Sequence, residues 1–250
     1  MPPIVTLLTD FGLADSYVAE VKAVLLWRAP DVTLVDITHQ VPPGDLRAAQ
    51  YLLSRAWHRF PRDTVHLAVV DPGVGSDRRA LAAQAAGHGF VAPDNGLLSF
   101  LPADARFVAL TVPPAASPTF HGRDVFAPAA ARLARGAPLA DLGAPVTDPY
   151  RSPLPAPRAE ENGWLGEVIY VDSFGTLVTN LPGSAIAAGA GILVSGRDAG
   201  PLRRTFADVA RGGLVVYVGS GGSIEIAVRE GSAARLLGVG AGESVKTAVR

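Results

Sequence analysis

Val65–Val70 is an apolar run that ends at Asp71, and a Pro72-Gly73 turn then leads through Gly75 to Arg78. A carboxylate at a strand's end, ahead of a forced turn, is how open α/β sheets present chemistry to a crevice. Arg78 lies seven residues after Asp71, across a glycine-rich turn that can fold it back. Farther on, His121 sits between Phe120 and Gly122, with the charged pair Arg123-Asp124 opening a helix. A carboxylate, a guanidinium and an imidazole together can move a proton and steady a developing charge. Taken singly, each has a plainer reading: a turn arginine on the surface, a hydrogen-bonded structural histidine. The company around His121 favours function, whereas His39, His58, His66 and His88 lack it and read as structural or exposed.

Other candidates lie where elements end. Asp10 closes the first apolar run, with Phe11 and Gly12 after it and Asp15 five residues on. A carboxylate there can accept two hydroxyl hydrogen bonds, as from a ribose, while Gly12 lets a ligand approach the backbone. The competing reading is that Asp10 or Asp15 caps the next helix. Neither a Gly-x-Gly-x-x-Gly fingerprint nor a phosphate loop with its lysine follows, which excludes those two nucleotide sites. Asp94-Asn95-Gly96 is a tight turn or a ligand contact. Asp172-Ser173-Phe174-Gly175 offers an aromatic face and amide groups, and Gly219-Ser220-Gly221-Gly222 offers either close-approaching backbone or a plain hairpin turn. Asp10, Asp15, Asp71 and Asp94 could serve a hard cation as oxygen ligands. No dense aspartate or histidine cluster accompanies them and an arginine competes beside Asp71, so no metal is expected.

The elements that must position these groups follow two grammars. Residues 1–143 alternate strands (Ile4–Thr9, Thr33–Ile37, Val65–Val70, Phe107–Val112) with helices from Ser16 to Arg28, from Asp45 to Trp57 and from Val125 to Arg135. Ala80–Ala86 and Gly89–Ala92 form a strand pair. Such alternation predicts an α/β domain, a mostly parallel sheet flanked by helices. Residues 144–163 carry Pro145, Pro149, Pro153, Pro155 and Pro157, and read as a semi-extended linker. Residues 164–250 hold short strands separated by glycines (Trp164–Val171, Leu177–Asn180, Gly191–Val194, Leu214–Val218, Ser223–Val228, Ser244–Ala248), predicting a smaller all-β barrel.

The totals set outer limits. At 250 residues, 48% hydrophobic and 18% charged, the chain can bury a substantial core and is not a disordered one. A net charge of −1 supplies no field for gripping nucleic acid or an anionic membrane. Without cysteine there are no disulfides or thiolate metal sites. The Met-Pro-Pro start lacks a basic segment, and no apolar run reaches the ~20 residues a bilayer needs. A soluble cytoplasmic protein is expected.

The motifs Thr9-Asp10-Phe11-Gly12, Val69 to Arg79, Ala92 to Leu98, Phe120 to Asp124 and Asp172 to Gly175, taken in this order, resemble the S-adenosyl-L-methionine hydroxide adenosyltransferases, relatives of the fluorinases and chlorinases. The resemblance spans Asp10 to about Ala233. It implies an N-terminal α/β domain, a C-terminal barrel, and a homotrimer with active sites between subunits. It places the catalytic set on Asp71, Arg78 and His121, the ribose on Asp10 and the methionine part near Asp15. Phe11, Asn95, Phe120 and Gly122 are expected beside the substrate. Asp172, Phe174, Thr176 and the Ser220 turn would complete the pocket from the neighbouring subunit. The family usually has asparagine where this chain has Thr176, next to the adenine. The halogenating relatives replace the Asp, Arg and His positions, so their retention here implies water as nucleophile.

That chemistry suits the residues. Attack at the ribose 5′ carbon of a sulfonium expels a neutral thioether, so the leaving group needs no proton. The difficulty lies in activating water, which Asp71 and His121 can orient and deprotonate while Arg78 steadies negative charge. The expected substrate is S-adenosyl-L-methionine, with no cofactor. The alternatives are a metal-dependent nucleoside hydrolase and a non-catalytic S-adenosylmethionine-binding module.

Overall fold

The computed structural model describes residues 2–186 and 190–248. The chain divides into two compact units, Met1–Pro153 and Leu154–Arg250. In the first, β1 (Ile4–Thr9) leads to α1 (Tyr17–Arg28), β2 (Thr33–Thr38), α2 (Leu46–Ala56) and β3 (Val65–Val69). Then come β4 (Ala80–Ala85), β5 (His88–Pro93), β6 (Arg106–Leu110), α3 (Ala127–Ala134) and β7 (Gly143–Val146). β1 is almost wholly buried because it has a strand on either side, and its Val5, Leu7 and Leu8 have no exposure. Asp45 caps α2 by accepting Ala48 N–H at 2.9 Å. Ser16 does not cap α1; its hydroxyl donates to Glu20 at 2.7 Å.

The strand order is β2-β1-β3-β5-β4-β6-β7, and the sheet is mixed rather than mostly parallel. β2, β1, β3 and β5 run parallel, while β4 is antiparallel to both β5 and β6, and β6 to β7. The reason is connection length. A parallel neighbour needs a crossover of roughly a dozen residues or more. Between β4 and β5 stand only Ala86 (φ 49°) and Gly87 (φ 82°), the two positive-φ positions of a tight hairpin.

The second unit comprises β8 (Arg158–Glu160), β9 (Gly163–Val171), β10 (Leu177–Pro182), β11 (Gly191–Val194), β12 (Arg197–Pro201), β13 (Leu214–Val218), β14 (Ser223–Val228), α4 (Ala233–Leu237) and β15 (Ser244–Ala248). Its antiparallel path β12-β11-β15-β9-β10-β14-β13 nearly closes on itself. The parallel bridge Leu202–Val216, with Arg203 N–H donating to Val216 O at 2.7 Å, joins the two edges. Val168, Leu177, Leu181, Ile192, Val216 and Ile226 fill its core. The unit is not all-β: Ser232 caps α4, whose Ala233 and Leu237 enter the same core.

Residues 144–163, expected as a connector, belong partly to strands. β7 adds to the first sheet, where Pro145 faces Val108 on an edge that tolerates a missing N–H. β8 adds to β9 in the second unit. The helix expected over Val125–Arg135 enters through a π-helical turn, Gly122–Phe126, before α3 begins.

Candidate active site

β1 is followed in sequence by β2 on one side and in space by β3 on the other, so the crevice between β1 and β3 is a point where the strand order reverses. Ligands of open α/β sheets bind at such points, beyond the carboxyl ends of the strands. Thr9 is in register with Val69, so Asp10 and, after Val70, Asp71 leave neighbouring strands at this edge.

The turn after Asp71 closes on itself. Val74 N–H donates to Asp71 O at 3.2 Å, and the Ser76 hydroxyl donates to Gly73 O at 2.6 Å. Gly75 has φ 79°, and a Cβ there would lie 2.7 Å from Pro118 O, so only glycine fits. The turn returns Arg78 to the carboxylate: Nε donates to Asp71 Oδ1 at 2.9 Å and Nη2 donates to Oδ2. The same Nη2 donates to His121 Nδ1 at 2.9 Å, and the guanidinium lies 5.2 Å from the centre of the Phe126 ring. Asp71 and Arg78 side chains are 6% and 9% exposed, and His121 is 7% exposed. These three form one buried row.

Burial, and then the charge of Arg78, hold His121 below the usual imidazole range, against the opposing pull of Asp71 and Asp124. Arginine only donates, so Nδ1 carries the lone pair and the neutral ring keeps its proton on Nε2. The π-helical turn opening beside His121 is a feature common at functional sites, and periodicity gave no sign of it. Arg123 and Asp124 are a structural clamp. Arg123 donates to Asp124 Oδ1 at 2.7 Å and to Glu20 Oε2 at 2.8 Å, and Asp124 accepts Ser117 N–H at 2.9 Å.

Asp10 Oδ2 accepts Gly44 N–H at 2.9 Å, and Gly12 turns with φ 69°. Asp10 is not a cap; the N-cap position of α1 is Ser16, whose side chain makes no capping bond. Phe11, Tyr17 and Phe120 meet edge to face, with centroids 5.4–6.1 Å apart. A Cβ on Gly122 would stand 3.2 Å from Phe11 Cζ, so the glycine admits that ring. Tyr17 sits at the start of α1 and is half-exposed. Asp15 is exposed in the turn before α1.

Asn95 has backbone partners: it donates to Val70 O at 2.9 Å and accepts Leu97 N–H at 3.3 Å. It thereby ties the end of β5 to the residue before Asp71. Arg79 joins Asp94 (2.7 Å) to Asp148 (2.8 Å), and Asp94 accepts Tyr150 N–H at 2.8 Å. Arg79 is therefore a clamp on the segment beyond β7. Among the described residues, no three His, Asp or Glu side chains are placed to hold a metal. A depression of about 790 Å³ lies at the opposite end of the strands, where β1, β3, β5 and β6 begin, beside Pro3, Arg62, Arg106 and Arg135.

In the second unit, Asp172 Oδ1 accepts the N–H groups of Phe174 (3.0 Å) and Thr176 (2.8 Å). Gly175 completes the turn with φ 82°, its missing Cβ leaving room for the Ser232 hydroxyl. An open cleft of about 430 Å³ is lined by Asp172, Phe174, Thr176, Phe206, Tyr217 and Glu230. Phe174 is 79% exposed. The Phe206 and Tyr217 rings are 4.8 Å apart, and Tyr217 OH donates to Glu225 Oε2 at 2.9 Å. Burial and then the Glu225 carboxylate push this phenol above its usual range. Phe206, Tyr217 and Glu230 carried no motif; the only hint was an aromatic residue in the apolar β13 run.

Ser220 is not brought to this cleft. Leu177, beside the Asp172 turn, pairs with Ile226, whereas Gly183, just past the far end of β10, donates its N–H to Gly222 O of the hairpin at 2.7 Å. The two turns thus lie at opposite ends of β10, about 15–20 Å apart at strand rise. Ser220 lies in the hairpin between β13 and β14.

Residues 5–143 match the SAM hydroxide adenosyltransferase N-terminal domain and residues 166–246 its C-terminal domain. A protein from Thermus thermophilus named (R)-S-adenosyl-L-methionine hydrolase is 46% identical, over 96% of this chain and 97% of its own. One of the same name from Salinispora tropica is 44% identical over 98% and 97%. More distant, a protein from an Actinoplanes species named fluorinase is 30% identical over 90% of each chain. The crystal structure of an uncharacterized conserved protein from Thermotoga maritima superposes with a TM-score of 0.92 at 35% identity, covering 98% of this chain and all of that one.

Proposed function

The chain belongs to the SAM hydroxide adenosyltransferase family, and from that premise we propose how its residues share the reaction. The enzyme hydrolyses S-adenosyl-L-methionine to adenosine and L-methionine. The observation that carries the residue assignment is the buried row Asp71–Arg78–His121 at the reversal point of the sheet.

Water attacks the ribose 5′ carbon as the bond from that carbon to sulfur breaks. The sulfur keeps the electron pair, methionine leaves as a neutral thioether, and one proton is lost from the water. Both His121 nitrogens are committed, Nδ1 to Arg78 and Nε2 to its own proton, so Asp71 is the acceptor of that proton. Each Asp71 oxygen retains a lone pair beside its arginine bond. Arg78 is assigned mainly to holding its two neighbours, since Asp71, His121 and Arg79 O already take four of its five N–H groups. A row fixed before the substrate arrives needs no reorganisation in the transition state.

Asp10 holds the ribose hydroxyls, and Asp15 approaches the amino-acid end. The Phe11–Tyr17–Phe120 cluster supplies ring faces that attract a sulfonium. The Asp172 cleft takes the adenine, with one hydroxyl from Thr176 in place of a side-chain amide. The assembly is a homotrimer in which these two surfaces come from neighbouring subunits. The exposed Phe174 ring supports that reading, since an aromatic side chain of that size gains by being covered. By analogy with the relatives' names, the (R) sulfonium epimer is the substrate. No metal takes part, so excess chelator leaves turnover unchanged.

The test is incubation with S-adenosylmethionine in ¹⁸O-water. Adenosine carrying the label, released with unlabelled methionine, is expected. Release of adenine, or binding without turnover, would overturn the reaction. Separate assays of the two sulfonium epimers check the stereochemistry, and light scattering checks the trimer.

A further inference from the structure

The loop after β2 is bonded to the turn that carries Asp10, and His39 makes the connection. This imidazole is 3% exposed. Its Nδ1 lies 2.8 Å from Thr9 Oγ1 and its Nε2 lies 3.0 Å from Asp36 Oδ1. The other oxygen of Asp36 accepts from Lys22 Nζ at 2.7 Å. Phe11 N–H donates to Thr9 Oγ1 at 3.3 Å, and that oxygen keeps its single proton to offer to His39 Nδ1. The Asp36 carboxylate can only accept, so the imidazole proton sits on Nε2, facing it across a 3.0 Å contact that falls outside hydrogen-bond alignment. The row is therefore polarised from Phe11 through Thr9 and His39 toward Asp36, which Lys22 meets from the other side.

The backbone adds two more ties. His39 O accepts Gly12 N–H at 2.7 Å, and Gly44, in the same loop, donates to Asp10 Oδ2. Thr9 and Gly12 bracket Asp10, so both sides of that residue depend on His39. A carboxylate, an imidazole and a hydroxyl in this order have the connectivity of a nucleophilic triad. Thr9 is only 1% exposed, however, so its hydroxyl cannot reach a substrate. What remains is orientation.

We infer that His39 is a positioning residue for the hydrolysis: buried beside Asp36, its side chain holds Thr9 and thereby the direction in which Asp10 offers its second oxygen to the ribose. This rests on the assignment of Asp10 to the ribose. The backbone bond to Gly12 survives substitution of His39, whereas the bond to Thr9 depends on the atom at the Nδ1 position. The amide of asparagine reaches that position, and the amide of glutamine reaches that of Nε2 instead.

The test compares His39→Asn, His39→Gln, Thr9→Val and Asp10→Asn by steady-state kinetics on S-adenosylmethionine, with a melting curve for each. His39→Gln and Thr9→Val should each raise KM about tenfold, the worth of one ordinary hydrogen bond, and leave kcat within about threefold. His39→Asn should keep KM near the wild-type value even where its melting temperature falls. Asp10→Asn should raise KM at least as far as His39→Gln does. If Asp10→Asn raises KM but His39→Gln and Thr9→Val do not, Asp10 keeps its role and His39 is structural only. If Asp10→Asn leaves KM unchanged, the ribose assignment fails and this inference fails with it. Thr9→Val preserves volume and decides the matter even if His39→Gln does not fold.

Discussion

Arg78→Met would leave a buried carboxylate without its cation. The Asp71 side chain is 6% exposed, and both of its bonds to the guanidinium are lost, as is the bond to His121 Nδ1. The methionine retains most of the apolar stem that lies against Phe126, so the cavity contribution is small. Removing one partner of a buried pair costs about 3–5 kcal/mol. Two charge-assisted hydrogen bonds at about 1.5–3 kcal/mol each give the same range. A stranded carboxylate can escape by taking a proton, but at pH 7 that costs about 4 kcal/mol for a carboxyl of ordinary acidity, so escape gives little relief. The cost of escape falls by about 1.4 kcal/mol per pH unit, so the deficit should shrink to about 1–2 kcal/mol at pH 5. Urea unfolding at the two pH values, with unchanged slope, measures it. The double variant Asp71→Asn/Arg78→Met should recover most of the stability while remaining inactive, which separates folding from chemistry. A deficit below about 1 kcal/mol at pH 7, or an equal deficit at both pH values, would refute the reasoning.

Three other outcomes follow from the same structure. His121 is held neutral by burial and Arg78, so protonating it takes more acid than for a free imidazole; the acid limb of kcat/KM should lie below pH 6.5, and a limb at or above that value contradicts the assignment. His66 is pushed down to about 3 by burial and then by His88, so the unfolded chain binds its proton first as pH falls. Stability present in full above about pH 6.5 should therefore decline toward pH 3, by at most about 5 kcal/mol from this group, and the decline should flatten in His66→Asn. Gly175→Ala forces a side chain to φ 82° and into the Ser232 hydroxyl, so it should cost more than about 1 kcal/mol and raise KM by moving the Asp172 turn; an unaltered melting curve would show that the turn adapts.

Sequence alone determined the strand ends that carry chemistry. Asp10 and Asp71 were legible because an apolar run stops at a carboxylate and a glycine-bearing turn follows, a local pattern with a local cause. The ordered motifs were also enough to identify the family. The parallel part of the sheet followed from its alternation with helices and the β4–β5 pair from its short connection, but where β6 and β7 then pair did not. Pairing is a long-range choice that no window of residues contains.

The same limit applied to the site. Arg78 could be placed near Asp71, seven residues away in one turn, yet its bond to His121, 43 residues on, required α3 to pack beside β3. His39 read as structural, and only the register of β1 with β2 set its ring between Asp36 and Thr9. Ser220 and Thr176 carried equally suggestive local signals, and barrel topology separated them to opposite ends of β10. Residue type and spacing specify which groups can react and how a turn must bend. Which of those groups meet is decided by strand order and register, because the free energy that selects them comes from burying whole faces rather than from any local preference.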